Sequence, residues 1–451
     1  MPIITKKAKQ PKPARTLIIS LCAVILLGTF LLCLPISSKN GQWSNFVDCL
    51  FTATSATSVT GISIYNTYQH WTVFGQTVIM LMIQIGGLGF ITIVTFFNYL
   101  IGKKMGLMKA NAVAGEVNIG GLVGAKRLFI RIIKYTLTIE IIGAIILGLT
   151  FVPEYGGYGA FMAIFTAVSA FSNAGFDVFG AKEGIDINSY IETPQVLLVM
   201  ALLMFLGGIG FVVWDDLANY PKTKKLLMHT KLVLAISGIL IVLGFVVYFM
   251  ITVIETDKYS QYSLGERVLS SVFTSFSART AGFSVIELPT VNDFSKLFTI
   301  LLMFIGAAPG STAGGLKVTT IAILAATVAA VLKGKDDASL LGHRIPKKLV
   351  FKSVAVLVLS VIFILIAFAA IYLVNPHLPE VDILYEVVSA FSTTGFSTGV
   401  TEYFGVAPKL IMSFTMFVGR IGPVSLLLSL TTDKSGNEKN RILPDCELLI
   451  G

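Results

Sequence analysis

Charge is scarce in this 451-residue chain. Only 13% of its residues are Asp, Glu, Lys or Arg, against about 25% in a soluble domain. With 55% hydrophobic residues and a mean hydropathy of +0.82, the composition excludes an ordinary water-soluble globule. Metal-ligand residues are scarce too. The four cysteines (Cys22, Cys33, Cys49, Cys446) and four scattered histidines (His70, His229, His343, His377) have no ligand spacing, which excludes a zinc site or a disulfide framework. The apolar segments hold no nucleophile–base pair or metal cluster, so the chain does not read as an enzyme.

The net charge is +9, but the basic residues sit in short runs between apolar segments. That pattern is a topology signal and an anionic-lipid contact, not a nucleic-acid surface. At the N-terminus Lys6, Lys7, Lys9, Lys12 and Arg15 precede an apolar run, as in a secretory signal. The run is long and lacks a small-residue cleavage site, so it reads as a retained first membrane helix.

Long apolar runs lie near 17–35, 72–101, 129–152, 195–214, 230–254, 297–332, 349–374 and 407–430. Each approaches the about 20 residues that a span needs, which predicts eight spans. The N-terminus, 102–134, 215–231, 333–352 and the C-terminal tail carry 25 basic residues, and the intervening segments carry seven. Those seven are Lys39, Lys182, Lys258, Arg267, Arg279, Lys296 and Lys409. The positive-inside rule then places both termini in the cytoplasm of a multi-pass protein of the cell membrane.

The outer segments contain shorter apolar stretches, Phe46–Ala56, Phe161–Phe171, Val268–Ser277 and Ile383–Phe391. Stretches of about 10–14 residues fit re-entrant segments rather than spans. Each leads into a similar string: TSVTG (Thr57–Gly61), FSNAG (Phe171–Gly175), ARTAG (Ala278–Gly282) and FSTTG (Phe391–Gly395). The closing glycines recur 114, 107 and 113 residues apart, which marks an internal repeat. A second echo follows in GGLGF (Gly86–Phe90), GGIGF (Gly207–Phe211), a glycine-rich run after Phe304, and GRIGP (Gly419–Pro423). Small residues there allow close helix packing.

The predicted fold class is thus an all-α membrane protein. It has eight transmembrane helices plus four re-entrant pore helices, in four helix–pore–helix repeats around a central pore. The units are 1–115, 116–222, 223–345 with a broken inner helix, and 346–451. Each unit crosses the membrane twice, so the repeats are parallel. Inverted repeats, common in secondary transporters, do not fit.

Irregular backbone at membrane depth is tolerated where it is buried in protein or lines water. Its carbonyls can replace a cation's hydration shell, and pore-helix C-termini favour positive charge. The candidate filter residues are Val59, Thr60 and Gly61; Asn173, Ala174 and Gly175; Thr280, Ala281 and Gly282; and Thr393, Thr394 and Gly395. Asp48 and Asp382 each stand 13 residues before a filter glycine, placed either to cap the pore helix or to concentrate cations; capping is the favoured reading.

The sixth apolar run is interrupted by Gly306, Ala307, Ala308, Pro309, Gly310, Ser311, Thr312, Ala313, Gly314 and Gly315, followed by Leu316 and Lys317. Proline and four glycines break a helix. The string is not a Walker loop, since Leu316 separates Gly315 from Lys317. It reads as a gate across the inner pore, with a simple kink as the alternative. Lys317 and Arg420 are basic residues within the spans and should face the pore or a partner. Arg420 is placed to hold loop carbonyls; Lys317 either faces the pore or a partner or extends toward the cytoplasm. Glu140, the lone acid within a span, reads as an interhelical hydrogen-bond partner rather than an ion site.

Together these strings, the broken third inner helix and the fourth-unit arginine resemble the Trk/Ktr/HKT superfamily of potassium transporters, over about residues 15 to 451. The resemblance is greatest to the membrane subunit of bacterial Ktr systems. It implies potassium uptake without covalent chemistry, and a homodimer in which each protomer has its own pore. It also implies a cytosolic ring of RCK-type regulatory subunits binding ATP or ADP, and stimulation by sodium. On this resemblance Gly61, Gly175, Gly282 and Gly395 are the filter glycines binding K+, Gly306–Gly315 the gate loop, and Arg420 the residue facing it. In related plant proteins a serine at the first filter glycine accompanies sodium preference, so Gly61 implies potassium. The alternatives are a sodium-selective or poorly selective cation channel of the same architecture, or an ion-coupled secondary transporter.

Overall fold

A computed structural model describes residues 13–89, 122–180, 187–255, 258–286 and 288–430, and the apolar runs become helices. In the first unit these are α1 (Pro13–Cys33), α2 (Phe46–Ser58) and α3 (Val73–Leu88). The second has α4 (Leu122–Ser172), α5 (Pro194–Gly208) and α6 (Phe211–Thr223). The third has α7 (Met228–Ile254), α8 (Leu264–Ser277), α9 (Asp293–Phe304) and α10 (Val318–Leu332). The fourth has α11 (Lys347–Val374), α12 (Glu380–Ser392), α13 (Val406–Ile421) and α14 (Pro423–Leu430). The only strands among the described residues form a two-stranded ribbon, Ser339–Leu340 with His343–Arg344.

Among the described residues, three helical stretches are long and apolar enough to cross a membrane: Ile130–Ser172, Met228–Ile254 and Lys347–Val374. The α5–α6 pair would pass the same test but bends by 95°. Ile239, Val242, Leu365 and Ile366 are exposed on α7 and α11, as apolar side chains facing lipid would be.

Several expected spans are shorter than their apolar runs because glycine interrupts them. The backbone turns at Gly89, Gly210 and Gly422, whose φ values are 76°, 90° and 86°. Side-chain-bearing residues rarely adopt such angles. The run 195–214 therefore divides into α5 and α6, and 407–430 into α13 and α14. The part of 72–101 beyond residue 89, the tail Leu443–Gly451 and the basic segment 102–121 lie outside the described residues. In the second unit no loop separates the outer helix from the pore segment. α4 is two helical segments that meet directly at a kink at Gly156 (φ 58°, ψ −134°), just after Pro153.

The glycines of the second echo are contact points. A Cβ on Gly86 would lie 2.1 Å from the carbonyl oxygen of Thr57, on Gly207 1.8 Å from that of Phe171, and on Gly419 1.9 Å from that of Phe391. Each of those carbonyls stands four residues before the closing glycine of a string. Three inner helices thus abut three pore-helix ends in the same way.

The core has two large parts. One joins residues of α1 to α5, the other residues of α7 to α13. They interlock, since Ala281 and Phe283 of the third unit join the first part and Phe51 and Ile62 of the first unit join the second.

These contacts predict that Gly207→Ala destabilises the fold by about 1–3 kcal/mol, the usual cost of overpacking. Thermal unfolding of detergent-purified protein checks it, and an unchanged midpoint would contradict the close approach.

Candidate ion pathway

The pore helices α2, α8 and α12, and the last turns of α4, end at the four strings, each with the same backbone feature. Among the described residues six non-glycine residues have positive φ, and four of them stand two residues before a filter glycine: Val59 (60°), Asn173 (59°), Thr280 (79°) and Thr393 (52°). In three units the closure is a Schellman pattern. Thr60 N donates to Ser55 O (2.8 Å), Ala174 N to Ser169 O (2.8 Å) and Thr394 N to Ser389 O (2.9 Å). The third unit closes more tightly, with Ala281 N donating to Ser277 O (2.9 Å).

Serine side chains fasten three of the strings from behind. Gly61 N and Gly395 N donate to Ser55 Oγ and Ser389 Oγ, both at 3.1 Å. Ser169 Oγ donates to Phe176 O (2.6 Å). The corresponding residue of the third unit is Phe276. There Arg279 reaches the Ser237 hydroxyl of α7 (3.1 Å) instead. The sequence count placed Arg279 in an outer segment, but it is buried.

The four glycines form a closed ring. A Cβ on Gly61 would lie 2.4 Å from Ala174 O, on Gly175 2.9 Å from Ala281 O, on Gly282 2.5 Å from Thr394 O, and on Gly395 2.2 Å from Thr60 O. The order is therefore first, second, third, fourth and back to first, with no room for side chains between neighbours. Pore-helix C-termini, with their partial negative charge, arrive at this ring from four directions.

The interrupted segment lies against the starts of the strings. Its base is pinched where Gly306 N donates to Leu316 O (2.9 Å). Asn173 Nδ2 donates to Thr312 Oγ1 (2.9 Å), and Gly314 N donates to Thr393 Oγ1 (3.0 Å). Ser311 Oγ donates to Ala308 O (2.7 Å). The loop also meets the α5–α6 bend, with Ala308 N donating to Gly208 O (3.1 Å) and Phe211 N to Gly310 O (3.0 Å).

Arg420 stands where the first two units have Gly87 and Gly208, and its guanidinium donates to Thr312 O and Gly86 O. It thereby ties the loop to the first inner helix. Lys317 does not extend away: Nζ donates to Ala313 O (2.6 Å) and Gly314 O (3.1 Å). Glu140 is buried on α4 beside Gln84 of α3.

The aspartates differ from the favoured expectation. Asn45, not Asp48, caps α2 with its side chain, and α12 has no side-chain cap. Asp48 instead pairs with Lys409 and Asp382 with Lys296, both at 2.7 Å. Each pair joins a pore helix to the inner helix of the preceding unit. The signal was present in register: Lys296 and Lys409 stand ten residues before Gly306 and Gly419. At those positions the first two units have Gln76 and Leu197, and at the aspartate positions the second and third have Met162 and Leu269. Tyr65 also donates to Asp48 (2.6 Å). Burial, then that carboxylate, holds the Tyr65 phenol well above its ordinary pKa, while burial holds His70, stacked on it, below its own. Both are neutral at pH 7.

The helices and the ring define a class first, a multi-pass membrane transport protein. A family model described as TrkH, cation transport protein, matches residues 5–438, and the chain belongs to that family. The potassium/sodium uptake protein NtpJ of Enterococcus hirae is 34% identical across all of both chains. The Ktr system potassium uptake protein B of Bacillus subtilis is 36% identical over 97% of each. The crystal structure of the potassium transporter TrkH from Vibrio parahaemolyticus shares the fold, with a TM-score of 0.72 and 18% identity over 95% of this chain and 86% of that one. The protein is a transporter, not an enzyme, as its sequence indicated.

The ion pairs generate a prediction. Removing one partner of a buried pair costs about 3–5 kcal/mol, mostly through the stranded charge. Lys409→Met should therefore lower the thermal midpoint sharply, and the Asp48→Asn, Lys409→Met double variant should recover most of the loss. Equal destabilisation of single and double variants would count against a shielded pair.

Proposed function

We propose that this chain takes up potassium across the cell membrane through a filter of backbone carbonyls at the four-glycine ring. The observation that carries the reading is the closure of that ring, each glycine lying against a neighbouring carbonyl. Carbonyls gathered where no side chain fits can exchange for a cation's water shell. In this reading eight spans and four re-entrant pore helices surround the pore, and both termini are cytoplasmic. Gly306–Gly315 is the gate, held shut by Asn173, Thr393, Lys317 and Arg420. The protein works as a homodimer with a cytosolic regulatory ring that binds ATP or ADP. Sodium acts as a stimulant and K+ is the ion at the filter. The name of the Enterococcus relative supports sodium as a second transported ion.

Rb+ and Na+ uptake in cells lacking their own potassium systems, with a regulatory subunit co-expressed, tests this. Wild type should prefer Rb+ over Na+. Gly61→Ser, whose Cβ would strike Ala174 O, should reduce that preference at least about tenfold, a cost near 1.4 kcal/mol. Absence of Rb+ uptake by the wild type, or an unchanged preference in the variant, would overturn the filter assignment.

Arg420→Ala removes two charge-assisted hydrogen bonds, each worth about 1.5–3 kcal/mol. It should raise Rb+ flux without regulatory subunit about tenfold or more. Flux equal to wild type in a well-expressed variant would remove Arg420 from the gate.

A further inference from the structure

The pore helices present one face to their own strings, at positions 13, 9 and 6 before the filter glycine. In the first unit these are Asp48, Thr52 and Ser55, and in the second Met162, Thr166 and Ser169. The third has Leu269, Phe273 and Phe276, and the fourth has Asp382, Glu386 and Ser389. A carboxylate at the middle position is peculiar to the fourth unit. The spacing repeats on one side of a helix, so all three groups face the same way.

Glu386 is fully buried. Its Oε1 accepts from Ser397 Oγ (2.5 Å) and from Thr398 N (2.9 Å). Ser397 Oγ in turn accepts from Gly399 N (2.9 Å). These groups lie just beyond Gly395, on the limb that leaves the ring. One turn on, Ser389 holds Gly395 N. One turn before, Asp382 is anchored by Lys296. The fourth string is therefore fastened on both sides of its glycine to a single pore helix. In the first unit the limb beyond the ring is fastened differently, through Tyr65 to Asp48.

The geometry points to Glu386 as a positioning residue for ion selection: its carboxyl oxygen fixes the outer limb of the fourth string and so the placement of the Thr394 carbonyl in the ring. This rests on the potassium-filter reading. The working feature is the acceptor. A buried acceptor lost from two donors strands both, and the limb must then move to find others. Glutamine keeps an acceptor at Oε1, whereas alanine removes it.

The test measures Rb+ uptake and its inhibition by Na+ for the full chain with its regulatory subunit, in wild type, Glu386→Gln, Glu386→Ala and Ser397→Ala, at matched membrane abundance. The expected result is a Rb+-over-Na+ preference within threefold of wild type for Glu386→Gln. Glu386→Ala should lose about tenfold of that preference, the effect of about 1.4 kcal/mol. A merely structural role would lower abundance without shifting the ratio. An unchanged ratio in Glu386→Ala overturns the inference, as does a Glu386→Gln loss equal to the alanine loss, which would assign the effect to charge. Should Glu386→Ala fail to reach the membrane, Ser397→Ala carries the test. A shift of about threefold, the smaller end of one lost hydrogen bond, supports the assignment, and an unchanged ratio overturns it. No Rb+ uptake by the wild type would instead overturn the potassium reading itself.

Discussion

Four glycines that must approach one another's carbonyls leave no side chains at the ring to hold it in place. Restraint on the strings therefore comes from the protein around them. The pore-helix serines, the Schellman closures and the close seating of Gly86, Gly207 and Gly419 supply it. The left-handed conformation of Val59, Asn173, Thr280 and Thr393 costs about 1–3 kcal/mol per residue. It persists because the hydrogen bonds on either side over-determine it. A β-branched valine in that region is especially unfavourable, so the ring is a place where local preference yields to tertiary constraint.

The third unit departs from the other three at nearly every point. Phe276 replaces the fastening serine, the string closes by a shorter turn, and Arg279 anchors it to Ser237. Its inner helix also gives way to the loop between α9 and α10. Room for that loop comes from small residues in it and beside it. A Cβ on Gly314 would lie 2.3 Å from Thr393 Oγ1, and on Gly210 2.9 Å from Pro309 O. Of the residues aligned with Arg420, the others are Gly87, Gly208 and Ala307. The fourth unit alone carries a large cation at this register, and its guanidinium reaches Thr312 O and Gly86 O.

Local sequence carried the repeat, the strings and the interrupted helix, because each is written in a short run of glycine and small polar residues. What it did not carry depends on which unit neighbours which. The Asp48–Lys409 pair joins residues 361 apart in sequence, and only the cyclic order of the strings brings them together. Arg279 was legible as part of the third string, but not its partner, because Ser237 lies on α7, 42 residues away. The direct junction in α4 was also hidden, since nothing in the residues between the apolar run 129–152 and Phe161 shows that outer helix and pore segment meet at a kink at Gly156 without an intervening loop. The two readings of Lys317 could be separated only by the loop's fold, which turns the Ala313 and Gly314 carbonyls toward it.

On the gating proposal, the contacts of the loop have a mechanical consequence. Asn173 and Thr393 belong to the second and fourth strings, which face each other across the ring. Both are among the residues held in left-handed backbone, and both bond the loop. The loop is therefore bound to the strings themselves as well as to Arg420. Its base, pinched between Gly306 and Leu316, can stay intact while the tip moves. Displacing the tip leaves Thr393 Oγ1 without its donor and Asn173 Nδ2 without its hydroxyl acceptor, groups that need water or an ion's hydration shell in exchange. A dry pore would hold the loop closed, and a wet one would compensate for its release. On that proposal, the hydration that a permeating cation carries would favour the open arrangement and so couple occupancy of the pore to movement of the loop.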